Sequence, residues 1–499
     1  MPRVSPLGAG NEDGFCGAVV AICYAPVPMR LAAPLLAVVL GTALAAALSW
    51  PARPPAASDD AAYEELVVDL LHRYLQIDTS NPPGNEARAA AFLAEALERE
   101  GIEVEVDPFA PGRANLLATL KGSGARRALV LAHHMDVVPA DAARWSLPPF
   151  SGASRAGALY GRGAQDMKAE GVLHVAAMIR ARRERLPLAR DLLLLATADE
   201  EAGFSGALRA LDQRGWRERL SAAEYLITEG GENLVIGGRP AYFGVATAEK
   251  GALWLTLKTT GAPGHASQPL AESAPNRLIR ALDRIRRHET PLKVLPTVER
   301  FLRAQARLVG GPRSGWYRDV RKALRDPAAA RVLGGDREVG SLLRNTISIT
   351  VVRTGYKTNV IPATAEAELD VRLLPGEEPE RFLAELRRVI DDPAVTILRA
   401  AEYRVPNESS TDTELFRAVE AVMARHFPGV PVTTKMLSGA TESVLFRPLG
   451  VACYGFTPLL TTAEEVATSH GEDERVGEAT LRRSTRVFYD LVRQVAAGP

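Results

Sequence analysis

Three runs in the first half of the chain are short, apolar without interruption, and closed by His, Asp or Glu: "ALVLAHH" at 128–134, "DLLLLATAD" at 191–199 and "AEYLITEGG" at 223–231. A run without polar alternation cannot keep one face in water. Each therefore predicts a strand covered on both faces, as strands of parallel sheets are. Between them lie segments of helical spacing, "MKAEGVLHVAAMIRARRER" and "SGALRALDQRG", which supply the covering layers. The expected fold class is α/β, with a largely parallel central sheet flanked by helices.

The texture changes after Glu249. "ALWLTLKTTG", "TISITVVRTG" and "ATAEAELDVRLLPG" alternate as half-buried strands do, and helices such as "APNRLIRALDRIRRH" and "EPERFLAELRRVI" lie between them. This predicts an inserted α+β domain over residues 245–406. An Arg-rich helical stretch inside it, Thr297 to Gly340, reads as a solvated face. Helical spacing resumes in "TELFRAVEAVMARHF", so the first domain is expected to be discontinuous, over 59–244 and 407–499.

Residues 1–58 precede this body. Leu31 to Leu48 is uncharged and apolar, near the minimum of about 17 for a spanning helix. With the Pro/Ala-rich "PARPPAASDD" behind it, the stretch reads as an export segment. It is either a signal cleaved near Ala45 and Ala47 or an uncleaved anchor, and translation from Met29 would give it a signal-like start. The expected location is outside the cytoplasm: periplasmic, envelope-anchored or secreted. Three cysteines, Cys16, Cys23 and Cys453, are too few for a disulfide framework, and Cys453 reads as a core thiol. Lys plus Arg balance Asp plus Glu at 60 each, so bulk charge offers nothing for nucleic acid.

In open α/β sheets ligands bind at the carboxyl ends of the strands. The polar residues expected there are His134 and Asp136, Asp166 in "LYGRGAQDMKAEG", Asp199, Glu200 and Glu201, and Glu229, joined by His470 from "TSHGEDERV". Successive strand side chains point to opposite faces, so His134 and Asp136 project together while His133 projects the other way. Convergent carboxylates repel one another. Lys168 and Arg162 are too few to neutralise them, and a divalent metal is the usual remedy. Mixed nitrogen and oxygen donors favour zinc, with cobalt or manganese as alternatives. His72, His174, His288 and His426 lie on predicted helices without such partners and read as surface or core residues.

The ordered segments "TSNPPGNE", "HMDVVPA", "WSLPPFSG", "GRGAQDMK", "DEEAG", "TEGG", "GAPGHAS", "NVIPATAEAELDVR", "SGATES" and "HGEDERV" run from about Tyr63 to the end. Together they resemble the zinc-dependent amidohydrolase and exopeptidase family of aminoacylase, glutamate carboxypeptidase, acetylornithine deacetylase and carboxypeptidase S. "TEGG", "YGFTP" and "HGEDERV", with the helical stretch, most resemble the carboxypeptidase S and N-acyl-amino-acid hydrolase branch.

The resemblance implies two zinc ions per subunit. Asp166 would bridge them, with His134 and Glu229 on one and Glu201 and His470 on the other. It implies Asp136 as the group orienting His134 and Glu200 as the general base, which takes the water's proton and passes it to the leaving amine. His265 would polarise the scissile carbonyl, in many relatives from a partner subunit. Asn359 and Arg372 would grip a substrate carboxylate, with Gly439 and Thr441 contributing contacts at that end. The family's usual Asp is here Glu442, one methylene longer.

The activity implied is hydrolysis of an amide or peptide bond next to a free carboxylate, in N-acyl-amino acids or short peptides, by a chain that pairs through the inserted lid domain. A dedicated deacylase of one metabolite is the competing enzyme reading, and export argues against it. A non-catalytic binding protein would be expected to have lost ligands, and this chain has every one.

Overall fold

The computed structural model describes residues 60–400 and 403–498. The apolar stretch Leu31–Leu48, Met29, Cys16 and Cys23 lie outside the described residues. Helix α1 (Asp60–Leu75) leads to the hairpin of β1 (Glu103–Ala110) and β2 (Arg113–Leu120), then β3 (Leu129–His134), α2 (Lys168–Arg183), β4 (Leu192–Thr197) and β5 (Tyr225–Thr228). A second hairpin, β6 (Glu232–Ile236) and β7 (Arg239–Glu249), passes through Lys250 into β8 (Gly251–Thr260) and the two-residue β9 (Gly264–His265). Next come α3 (Ala274–Arg287), α4 (Pro296–Gln305), α5 (Arg337–Leu343), β10 (Thr346–Thr354), β11 (Val360–Ile361), β12 (Thr364–Leu373), α6 (Pro379–Ile390) and β13 (Val395–Arg399). The chain closes with α7 (Glu414–His426), β14 (Val432–Leu437), β15 (Ala452–Gly455) and α8 (Glu478–Ala496).

Among the described residues the large sheet runs β1-β2-β4-β3-β5-β15-β7-β14, with β6 on β7. Its centre, β4-β3-β5-β15, is parallel, as the apolar runs predict, while β1, β2 and β7 join antiparallel. The sheet is thus mixed at its margins. Every residue of β3, β4 and β5 is buried, because α1, α2 and α8 cover one face and the Trp216–Leu220–Phe446 cluster covers the other.

The smaller sheet, β10-β12-β8-β13, is antiparallel throughout. Its inward residues, among them Leu253, Leu255, Leu257 and Leu369, pack on α3 and α6, which explains the strict alternation in sequence. Trp254 and Leu398 stay exposed on this sheet. The Arg-rich stretch packs elsewhere. Val298, Phe301 and Leu302 of α4 lie against Met436 of β14 and Tyr242 of β7, so these helices buttress the large sheet. Among the described residues no helix is long and apolar enough to cross a membrane.

Candidate metal centre

β3, β4 and β5 end side by side, and their loops carry the acidic and imidazole groups to one rim of the sheet. His134 Nε2 lies 3.0 Å from Asp166 Oδ1 and 3.8 Å from Glu229 Oε2. His470 Nε2 lies 3.1 Å from Asp166 Oδ2 and 3.1 Å from Glu201 Oε1. Two groups of one imidazole and two carboxylates therefore share Asp166, one oxygen turned to each. Within each group the ligand atoms fall inside 4.8 Å of one another. The loops hold four non-glycine residues in the left-handed region, Asp199 at φ 67° and Phe204 at φ 64° on one, His470 at φ 57° and Asp473 at φ 53° on the other. Such conformations persist only where surrounding contacts enforce them.

The donor set fits a pair of divalent cations. Among the described residues no Lys or Arg forms an ion pair with Asp166, Glu201 or Glu229. Lys168 donates to the carbonyls of Ile77 and Tyr74, and Arg162 pairs with Glu474. Positive charge is drawn onto the imidazoles instead. Burial opposes charging His134, yet hydrogen bonds with Asp136, Asp166 and Glu229 raise its pKa well above the usual value. Hydrogen bonds with Asp166 and Glu201 push His470 up to about 10. Burial alone would raise Asp166, but the two imidazoles hold it well below the carboxylate range. A bound divalent ion meets the same electrostatic demand.

Glu200 sits beside this cluster in the wall of a cavity of about 390 Å³ that also exposes Asp166, Glu229 and His470. Burial, then the Glu229 carboxylate, raises its pKa well above normal. Asp136 lies beneath. Its carbonyl is 3.0 Å from His134 Nδ1 and its carboxylate 3.6 Å, so the backbone oxygen is the nearer acceptor for that ring nitrogen. The carboxylate itself accepts the backbone N–H groups of Glu200 and Glu201 and the Asn81 amide. Glu442 is also buried here. The Thr197 hydroxyl donates to its Oε2 at 2.9 Å, and burial raises its pKa to about 8.

Several supports were not singled out from sequence. Arg113 donates to Asp199 at 2.5 Å and to Asn81 at 2.6 Å, tying the β2 hairpin to the Glu200 loop. Glu474, fully buried, accepts the backbone N–H groups of Gly163, Gln165 and Asp166 as well as Arg162 Nη1. Its place in "HGEDERV" was the available signal. Glu249, at the end of β7, pairs with Arg447 and accepts the Thr441 N–H, which locks the 438–443 loop onto the sheet.

Gly439 and Thr441 line the same cavity as the ligand cluster. His265, Asn359 and Arg372 do not. His265 is exposed in the β9–β11 ribbon with its ring against Ser267. Asn359 is exposed beside it, its carbonyl accepting the Ala266 N–H. Arg372 pairs with Asp370 on β12. His133 faces away from the cluster, its ring 6.0 Å from that of His174 and 6.4 Å from that of Tyr74. His72, His288 and His426 bond to the Gly152 carbonyl, Glu385 and Asp490 respectively.

Comparison with known proteins gives matches over most of the chain. Residues 130–494 fit the model of Peptidase family M20/M25/M40. The chain is 27% identical over 400 residues to the N-fatty-acyl-amino acid synthase/hydrolase of Homo sapiens, covering 76% of each chain. It is 25% identical over 437 residues to aminoacylase-1 of Sus scrofa, covering 87% of this chain and 96% of that one. The fold superposes with a TM-score of 0.66 on an M20 family metallo-carboxypeptidase of Sulfolobus solfataricus at 19% identity, covering 86% and 98% of the two chains. The matched segment spans most of the large sheet, the whole of the smaller one and every residue of the two imidazole–carboxylate groups, and on that ground the chain belongs to Peptidase family M20/M25/M40.

Proposed function

We propose that the protein hydrolyses the amide bond of an N-acyl-amino acid or short peptide beside a free carboxylate, using two zinc ions, with cobalt or manganese as alternatives. The observation that carries this reading is Asp166 shared by two ligand groups at the edge of a cavity that also holds Glu200. His134 and Glu229 would complete one ion's protein ligands, Glu201 and His470 the other's. When bound, the ions supply Lewis acidity and a water acidified towards neutrality. Glu200 takes the attacking water's proton on its carboxylate and delivers it to the leaving amine nitrogen. Asp136 keeps the Glu200 loop and the His134 ring in register.

The cavity's apolar side, Phe301, Leu342, Met436 and Leu437, suits an apolar acyl chain, in keeping with the substrates named for the human relative. Gly439 and Thr441 would contact the carboxylate end. His265, Asn359 and Arg372 belong to the 245–406 lid domain and lie outside the cavity of a single chain. They would act after closure of the lid or across a dimer, with Arg372 exchanging Asp370 for the substrate carboxylate and His265 facing the scissile carbonyl. The exposed Trp254 and Leu398 on the lid sheet support pairing there. Export through residues 31–48, as a signal or an anchor, belongs to the same reading.

The test is hydrolysis of N-acyl-amino acids and dipeptides before chelation, after it, and after metal is restored. Activity that persists through complete metal removal would reject the proposal.

A further inference from the structure

The chain leaves the large-sheet body for the lid sheet at two neighbouring places, and one side chain joins them. β7 ends at Glu249 and β8 begins at Gly251, with Lys250 alone between them. α5, whose Val339, Leu342 and Leu343 pack with Met436 of the large sheet, ends at Leu343, and β10 begins at Thr346. Lys250 Nζ donates to the carbonyls of Ser341 at 3.0 Å and Arg344 at 2.9 Å, and to the Thr346 hydroxyl at 3.2 Å. Three acceptors match the three N–H groups of an ammonium.

Both ends of this bridge reach groups that would hold substrate. The Lys250 backbone N–H donates to the Leu437 carbonyl at 2.9 Å, and Leu437, Ser341 and Leu342 all line the metal-centre cavity. Thr346 stands opposite Arg372 in the register of β10 on β12. Lys250 is fully buried, and among the described residues no carboxylate forms an ion pair with it. A cation held only by carbonyl and hydroxyl dipoles is costly to bury. What it supplies, and an apolar side chain of the same length does not, is a fixed direction towards three acceptors.

We propose that Lys250 is a positioning residue for substrate binding: by pinning the end of α5 and the start of β10 to the β7–β8 crossing, it sets where the Ser341 and Leu342 wall and Arg372 stand relative to the cavity. Its bonds reach neither the metal-ligand groups nor Glu200. Losing them therefore loosens the grip on both ends of the substrate and leaves the proton-transfer groups in place. A merely weakened fold acts otherwise, because fewer folded molecules lower kcat and leave KM as it was. The inference rests on the amide-hydrolase reading for what the cavity and Arg372 hold.

The test compares the metal-loaded full chain with Lys250→Met, Thr346→Val and the double variant. Hydrolysis of N-octanoyl-leucine gives kcat and KM, and calorimetry in a Glu200→Gln background gives Kd for the same compound. Lys250→Met should raise KM and Kd by about ten- to a hundredfold, with kcat within about threefold of native and metal stoichiometry unaltered. Thr346→Val keeps the branched shape and removes one acceptor, so it should raise both by about three- to tenfold. It should add little to Lys250→Met, because the bond it breaks is already gone. Thr346→Val alone decides the matter if Lys250→Met does not fold. Native KM and Kd in the variants would overturn the proposal, as would effects that simply add, or a fall in kcat at native KM. If the native chain binds N-octanoyl-leucine without cleaving it, the hydrolase reading falls and the Kd comparison still judges Lys250. If it does not bind the compound at all, both fall.

Discussion

The Asp136 carboxylate accepts the backbone N–H of Glu200 at 3.0 Å. Its second oxygen accepts the N–H of Glu201 at 3.1 Å. The end of β3 therefore holds the loop after β4 by its main chain, and the side chains are left free, Glu200 to line the cavity and Glu201 to meet His470. One short acid sets the position of both the proposed base and a proposed ligand.

Asp136→Asn exchanges one accepting oxygen for an NH2 group, which then faces an N–H donor. Turnover should fall by about 10- to 100-fold, with a smaller loss of bound metal. Steady-state kinetics alongside metal analysis of the purified variant tests this, and unaltered turnover would show that the loop is held by something else.

Glu200→Gln keeps the shape of the loop and removes the proton acceptor. Metal stoichiometry should stay at the native value while kcat drops by roughly 100- to 10,000-fold. A variant that loses its metals along with its activity would make Glu200 a ligand rather than a base.

The two adjacent histidines separate cleanly. His134→Ala removes a nitrogen from the ligand cluster and should abolish stoichiometric binding of at least one ion. His133→Ala alters packing against His174 and Tyr74 on the opposite face and should leave metal titrations close to native. The reverse pattern would reject the assignment of faces.

His174 is wholly buried, stacked on Phe488, and burial lowers its pKa to about 3. In the unfolded chain it titrates near the usual value of 6.5. Between those limits the unfolded state binds a proton that the native state does not, so stability falls as pH drops below 6.5, by up to about 1.4 kcal/mol per pH unit. His174→Phe removes that proton, so the variant should gain on the native protein progressively from pH 6.5 downward. Chemical denaturation at a series of pH values reads the difference, and parallel curves would contradict it.

Glu474→Ala takes the acceptor away from three backbone N–H groups of the Asp166 loop and leaves Arg162 buried without its partner. The loss should be about 3 to 5 kcal/mol of stability. Thermal and denaturant unfolding measure it, and a variant of native stability would mean that Arg162 finds another anion.

Much of this was legible in the chain. Apolar strands without alternation specify a covered parallel sheet wherever they fold, because no arrangement wets one face of "LVLA" or "LLLLA" without cost. Strand parity alone separates His134 from His133. Acidic residues at three strand ends with few nearby cations already demand a positive partner, and the ordered motifs name the family.

Tertiary structure decided what depends on residues far apart in sequence. The antiparallel margins of the sheet come from hairpins whose partners are chosen by packing. The Arg-rich helices settle on the large sheet because Val298 and Phe301 find Met436 and Tyr242, a match that no local pattern encodes. Glu474 serves the Asp166 loop 308 residues away, and Asp136 grips Glu200 across 64. Local sequence sets which way a side chain points from its own strand. Only the closed core determines which unsatisfied N–H, carboxylate or cavity it meets there.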